Sequence, residues 1–184
     1  IVESLDELAD VAGFICEIGV ARGMTSRFIV EHVTKMRMNL NFYPIDTFSS
    51  FTENDIEYEK SARGKKAHKY NEFKYNDYNA WSRNFSHFDF VRPIKADANV
   101  IDFAPLAPIK FVLLDVDFYK PTIRVLRDIR EHLSERAIII VDDVSPRNDK
   151  WDGAHQAFME FVAENPEVQH RIYPHKCGFL RFCA

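Results

Sequence analysis

Phe111-Val112-Leu113-Leu114-Asp115-Val116-Asp117 and Ala137-Ile138-Ile139-Ile140-Val141-Asp142-Asp143 are two short apolar runs, each ending in a pair of aspartates. Both are too short for a bilayer span and too apolar for a strand with one wet face. They read as strands covered on both sides of a sheet. One helix's worth of sequence separates them, predicted over 121–133, so the unit is strand–helix–strand. Such crossovers are right-handed and join parallel strands, which carries both C-terminal ends to one edge of the sheet. Open α/β sheets bind their ligands at that edge. Asp115, Asp117, Asp142 and Asp143 therefore converge, and clustered carboxylates repel unless protons or a cation neutralise them. A hard divalent ion such as Mg²⁺ takes oxygen ligands of this kind.

The flanking sequence extends the same pattern. Ser4-Leu5-Asp6-Glu7 has the form of a capping box and predicts a short helix ended by Gly13. Residues 14–18 read as a first strand, followed by the turn Gly19-Val20-Ala21-Arg22-Gly23. Helical spacing of Phe28, Ile29, Val33 and Met36 predicts a helix over 24–37. Residues 42–46 form a second strand carrying Pro44, and 91–96 a third that ends at Asp97. Between these, residues 53–90 predict two helices with a break near Gly64. Beyond the aspartate unit come a helix over 153–163 and a hairpin of residues 170–173 and 178–183. Alternating strands and helices predict one α/β domain spanning all 184 residues. Its core is a Rossmann-like doubly wound, mostly parallel seven-stranded sheet with an antiparallel C-terminal hairpin.

Composition narrows the partners. A net charge of −4 and a pI near 6.0 give no case for nucleic acid or an anionic membrane surface. No apolar run approaches the ~20 residues of a membrane span, and no basic-then-apolar leader appears. Cys16, Cys177 and Cys183 are odd in number and form no C-x-x-C pair, so buried thiols in a reducing, cytoplasmic setting are expected. The chain begins with Ile1, as expected where further residues lie upstream.

Several residues point to chemistry. The glycine turn at 19–23 lets the backbone approach a ligand at the positive end of a helix. Ala21 occupies the place of the second glycine of a G-x-G-x-x-G fingerprint, which argues against NAD or FAD and leaves another nucleoside. Asp46, 27 residues after Gly19, stands where an acid binds ribose hydroxyls in such folds; a turn carboxylate is the alternative. Asp115, Asp142 and Asp143 are candidate metal ligands, the alternative being helix caps. Asp117 points the same way as Asp115 if the strand continues, as a fourth ligand or a general base. Lys65, Lys66, Lys69 and Lys74 interleave with Tyr70, Phe73, Tyr75, Tyr78 and Trp81, diluted by Glu72 and Asp77; a solvated, partly packed cap is expected there rather than a nucleic-acid platform. His155 is expected at the surface or as a cap. No G-x-S-x-G elbow is present.

Together these features resemble the class I S-adenosylmethionine-dependent methyltransferases, and more narrowly the macrocin O-methyltransferase family, which includes sugar O-methyltransferases. The matching segments are EIGVARGMTS at 17–26, PIDTF at 44–48, LLDVDFYKPT at 113–122, IIVDDV at 139–144 and GAHQAF at 153–158. The resemblance implies that Glu17, Gly19 and Gly23 line the methionine end of the cofactor with Arg22, Thr25, Ser26 and Asp115 close by. It places Asp46 at the ribose and Asp97 at the adenine. It implies that Asp115, Asp142 and Asp143 bind Mg²⁺ and that Asp117 is the base. The acceptor would be a hydroxyl of a sugar, polyol or other small molecule, and a homo-oligomer is compatible. Family members carry a longer N-terminal region over the site; here a dozen residues precede the first strand, and residues 145–152 form a charged loop expected to shape acceptor choice. Two other readings stay open. Asp115-Val116-Asp117 is also the D-x-D of metal-dependent nucleotide-sugar glycosyltransferases, and a non-catalytic cofactor-binding domain would keep the same turn.

Overall fold

The computed structural model describes residues 1–66, 70, 72–145, 147, 150–174 and 176–183. Its helices are α1 (Val2–Glu7), α2 (Met24–Lys35), α3 (Glu53–Ser61), α4 (Tyr78–Phe85), α5 (Tyr119–Ile129) and α6 (Asp152–Glu164). Its strands are β1 (Phe14–Ile18), β2 (Phe42–Asp46), β3 (Ile94–Lys95), β4 (Ile109–Leu114), β5 (Leu133–Val141), β6 (Gln169–Ile172) and β7 (Gly178–Arg181). They form one seven-stranded sheet in the order β3-β2-β1-β4-β5-β7-β6. The first five run parallel, while β7 is antiparallel to both β5 and β6. This is the expected doubly wound sheet with its antiparallel finish.

Strand side chains alternate between two cores, because the period of a strand is two. On β4, Phe111 and Leu113 enter one core with Leu5, Ile29, Val33, Trp81 and Phe85. Val112 and Leu114 enter the other with Ile123, Leu126, Phe158 and Phe161. β5 divides in the same way, Ile138 to the first and Ile139 and Val141 to the second. That two-sided burial is why both runs contain almost no polar residues.

Some expected boundaries move, each for a physical reason. α1 starts at Val2, so Ser4 lies inside it, nearly buried, and makes no capping-box bond. Burial of Leu5 and Leu8, three residues apart, sets the helix phase instead. The helix ends at Glu7 rather than at Gly13. The third strand is reduced to Ile94–Lys95 and an isolated bridge between Val91 and Phe42, because Pro93, which has no N–H to donate, interrupts it. β4 begins two residues earlier and ends at Leu114, before the aspartates. The helix after it gives way at Ile129 to a single 3-10 turn over Arg130–His132. The two helices expected in 53–90 form, separated by a long connection rather than a break at Gly64 alone. Lys69, and Pro146, Asn148 and Asp149 of the charged loop, lie outside the described residues. Of the three cysteines only Cys16 is buried; Cys183, past the end of β7, is exposed, which corrects the expectation of buried thiols. No helix among the described residues is long and apolar enough to cross a membrane.

Candidate active site

The strand order turns back between β1 and β4, and a crevice opens at their C-terminal ends. Gly19, at φ +88°, sits at the tightest point: a Cβ there would lie 1.9 Å from the carbonyl oxygen of Asp115. Its amide donates to Ile45 O at 2.8 Å, and the Asp115 amide donates to Ile18 O at 2.8 Å. Three neighbouring strand ends are thereby pinned together around a cavity of about 300 Å³.

Of the residues expected to hold a cofactor, Gly19, Asp46, Asp97 and Asp115 line this cavity. Asp46 accepts from Val20 N (2.8 Å) and Ala21 N (3.2 Å) through one oxygen and from Phe48 N (2.6 Å) through the other. It therefore shapes the glycine turn as well as facing the cavity. Asp97 accepts from the backbone and side-chain nitrogens of Asn99. The remaining candidates do not contribute to the cavity wall. Arg22 is exposed, its guanidinium 3.9 Å from the centre of the Tyr75 ring. Gly23 makes room for α4: a Cβ there would lie 2.6 Å from Trp81 Nε1. Thr25 is half-buried at the start of α2. Ser26, fully buried, donates its hydroxyl to Glu17. Burial pushes the Glu17 carboxyl up to about 8; the Ser26 bond opposes this, while Asp115 and Asp46 add to it.

The strand-end aspartates do converge. One carboxylate oxygen each from Asp115, Asp117 and Asp143 lies within 4.8 Å of the others, the one such group of ligand-type side chains among the described residues. Its membership differs from the expected metal set, with Asp117 in the position anticipated for Asp142. The cause is local. β4 stops at Leu114, so Asp117 is not on a continuing strand; the backbone turns there with φ +63° and swings its carboxyl back toward Asp115. Asp142 lines the same cavity but lies against Cys177 Sγ (3.5 Å) and Lys176 Nζ (3.5 Å). Asp143 is 3% exposed and accepts a hydrogen bond from Lys176 Nζ.

Crowding of these acids shows in their proton affinities. Burial, then the charges of Asp142 and Asp143, push Asp115 up to about 7, against a partial offset from Lys176. Asp117 is raised well above the usual carboxylate range by burial, by Asp115 and by its bond to Asp143. A cluster that prefers to hold protons near neutral pH is short of positive charge.

Several cavity residues were not anticipated. Asp55 of α3, 5% exposed, accepts from both the Thr52 hydroxyl (2.7 Å) and the Asn99 amide (3.0 Å). Thr52-x-x-Asp55 is a capping pattern that could have placed it at a helix start: the Asp55 amide donates to Thr52 Oγ1 at 3.1 Å. Phe51, Phe73, Phe118 and Trp151 form an aromatic wall, with Phe51 and Phe118 centroids 4.4 Å apart. Only their assembly from four distant segments reveals it. Tyr70 and Trp81 of the aromatic–lysine segment are buried, as a packed cap requires, while Tyr75 is exposed. His155 is half-buried on α6 and does not line the cavity.

Comparison with known proteins accords with this geometry. The model of the macrocin-O-methyltransferase (TylF) family matches residues 3–171. No curated protein matches in sequence. Among solved structures, the O-methyltransferase NovP is 18% identical with a TM-score of 0.76, covering 100% of this chain and 76% of its own. CalS11, a calicheamicin methyltransferase, is 20% identical with a TM-score of 0.75, covering 97% of this chain and 76% of its own. A putative rRNA-methylase from Clostridium thermocellum is 14% identical with a TM-score of 0.64, covering 99% and 94%. At such identities the structures establish the shared fold, and that fold serves acceptors of different kinds. The glycosyltransferase and non-catalytic readings give way to the family match. The chain belongs to the macrocin-O-methyltransferase family of class I S-adenosylmethionine-dependent methyltransferases and is an O-methyltransferase.

Proposed function

We propose that the protein uses S-adenosylmethionine to methylate a hydroxyl of a sugar or similar polyol, with a Mg²⁺ ion at the aspartate cluster. The observation that carries this reading is the convergence of Asp115, Asp117 and Asp143 at the switch point of the sheet, with Asp142 beside them. Four carboxylates sharing one half-buried site, one of them pushed up to about 7, favour a cation there. Their donors are all oxygens, which suits a hard divalent ion. When bound, Mg²⁺ supplies a Lewis acid for an alkoxide and S-adenosylmethionine supplies the electrophilic methyl group.

The chain's own residues supply the rest. Asp115, Asp142 and Asp143 would hold the ion. Asp117 would take the acceptor's proton: burial and its neighbours Asp115 and Asp143 raise its proton affinity above the ordinary carboxylate range, and a cation held at the cluster would keep it ionised and ready to accept. Asp46 and Asp97, on the β2 and β3 side of the crevice, would hold the nucleoside end of the cofactor, leaving its methionine end toward Gly19 and the aspartates. The aromatic wall of Phe51, Phe73 and Trp151 keeps water from the reacting centre and offers flat apolar faces to a sugar ring. This reading implies a small-molecule acceptor and a cytoplasmic enzyme.

Titration calorimetry with S-adenosylmethionine, with and without MgCl₂, tests it. Saturable one-to-one binding of the cofactor is expected; its absence would overturn the assignment. Asp117→Asn should bind the cofactor as the wild type does and lose at least about a hundredfold in methyl transfer across a panel of nucleotide sugars. Unchanged turnover would remove Asp117 as the base.

A further inference from the structure

Lys176 stands in the turn between β6 and β7, and its Nζ bonds Asp143 Oδ1 and lies 3.5 Å from Asp142 Oδ2. We propose that Lys176 is a tethered counter-ion of the aspartate cluster, occupying the carboxylates when no divalent cation is bound and displaced when one binds, so that it sets the affinity of the site for Mg²⁺. This inference rests on the metal reading above.

Three observations carry it. First, the backbone of Lys176 is fastened to the cluster: Val144, next to Asp143, donates its amide to Lys176 O at 2.6 Å, and Lys176 N donates to Tyr173 O at 3.1 Å. The root of the side chain is thus fixed within reach of Asp143, and the side chain lines the same cavity. Second, Lys176 holds φ +68°, the left-handed region in which glycine would sit without strain. The chain turns there, and the ammonium meets Asp143 and Asp142. Third, exposure is one-sided. The Lys176 side chain is 46% exposed whereas that of Asp143 is 4% exposed. The ammonium can swing into solvent without opening the core, while the carboxylates stay in place.

An ammonium and a divalent cation that need the same oxygens compete, and the free energy holding one is subtracted from the binding of the other. The calorimetric titration of MgCl₂ into wild type, Lys176→Met, Lys176→Gln and Lys176→Arg at fixed ionic strength tests this, with melting temperatures in EDTA and in Mg²⁺ alongside. Both neutral variants should bind Mg²⁺ about tenfold more tightly, the ratio equivalent to losing one partly exposed ion pair of above-average strength. They should also melt lower than wild type in EDTA and gain more on adding Mg²⁺. Lys176→Arg should keep the wild-type affinity. Unchanged or weaker Mg²⁺ binding by a folded neutral variant would overturn the role of Lys176 alone. Absence of Mg²⁺ binding in every variant at millimolar concentration would overturn the metal reading and, with it, this one.

Discussion

Replacing Gly19 by alanine isolates the contact on which the site is built. The added Cβ would lie 1.9 Å from Asp115 O, about 1 Å inside any distance that real side chains tolerate. Nothing flexible can yield, because the obstructing atom is backbone at the end of β4. Relief requires β1 and β4 to part, which stretches the Asp115 N to Ile18 O hydrogen bond of 2.8 Å. Losing that bond costs about 1 kcal/mol, and holding alanine at φ +88° adds about 1–2 kcal/mol. The expected destabilisation is thus about 2–3 kcal/mol, a sizeable share of the ~5–15 kcal/mol available to a domain. With a urea m-value of about 2 kcal/mol/M, the midpoint should fall by about 1–1.5 M. Gly64 provides the control: it also has positive φ, +68°, yet a Cβ there meets nothing within 4 Å. Gly64→Ala should cost only about 1 kcal/mol, that of the left-handed backbone. Equal midpoint shifts for the two variants, measured by circular dichroism, would refute the close-approach argument. Because Asp115 moves with the strand end, Gly19→Ala should also weaken binding of S-adenosylmethionine, whereas Gly64→Ala should not.

Glu17, pushed up to about 8 from an ordinary 4.5, keeps a proton in the folded state that the unfolded chain has lost between those two pH values. Folding stability attributable to Glu17 therefore falls as pH rises through that window, so the advantage of Glu17→Gln over wild type should grow by a few kcal/mol from pH 5 to pH 8 in urea melts; a pH-independent difference would count against it. Arg63 binds Glu59 (2.8 Å) and Asp152 (2.8 Å), and Glu59 also accepts from the Tyr119 amide (3.1 Å), so this nearly buried pair joins α3 to α5 and α6. Removing the guanidinium in Arg63→Met leaves Glu59 uncompensated and should cost about 3 kcal/mol by denaturant titration; a loss under 1 kcal/mol would mean that solvent already serves Glu59.

The sheet was legible because its two central strands are buried on both faces and say so in composition: Phe111–Leu114 and Ala137–Val141 hold no polar residue. The strand-end acids followed from topology, since parallel strands joined by a helix must end on one edge. Which acids touch was not legible. Pairing in the sheet is set by register, but Asp117 and Asp143 both take left-handed backbone conformations just past their strands, and periodicity carries no information there. The same limit hid Lys176, thirty-three residues from Asp143 and in a turn whose composition names no partner. Ser4 misled for a related reason: a capping pattern is local, and burial of Leu5 and Leu8 outweighed it. Arg22 and Gly23 belong to the same turn as Gly19, yet one points to Tyr75 and the other accommodates Trp81, because α4 packs on that side.

Six of the nine non-glycine residues with positive φ among the described residues lie at the cavity. Ala21, Ser50, Phe73, Asp117, Asp143 and Lys176 all hold positive φ and all line it. Each costs of order 1 kcal/mol and persists only where surrounding structure leaves no other choice. For the aspartates the gain can be seen in distances. Residues i and i+2 of a continuing strand are about 6.6 Å apart, too far for their short carboxylates to be drawn reliably together. Turning the chain at Asp117 brings its oxygen within 4.8 Å of those of Asp115 and Asp143. Strain is thus exchanged for convergence. It also dictates how the charges should be tested. Asparagine is among the residues most tolerant of the left-handed region, so Asp117→Asn and Asp143→Asn exchange a carboxyl for an amide while keeping the turn, whereas alanine at either position would alter the polar group and the backbone together. If the Asn variants fold as wild type and the Ala variants lose about 1 kcal/mol more, the turn conformation and the carboxylate are separable contributions; equal losses would mean that the left-handed turn is not what holds the cluster together.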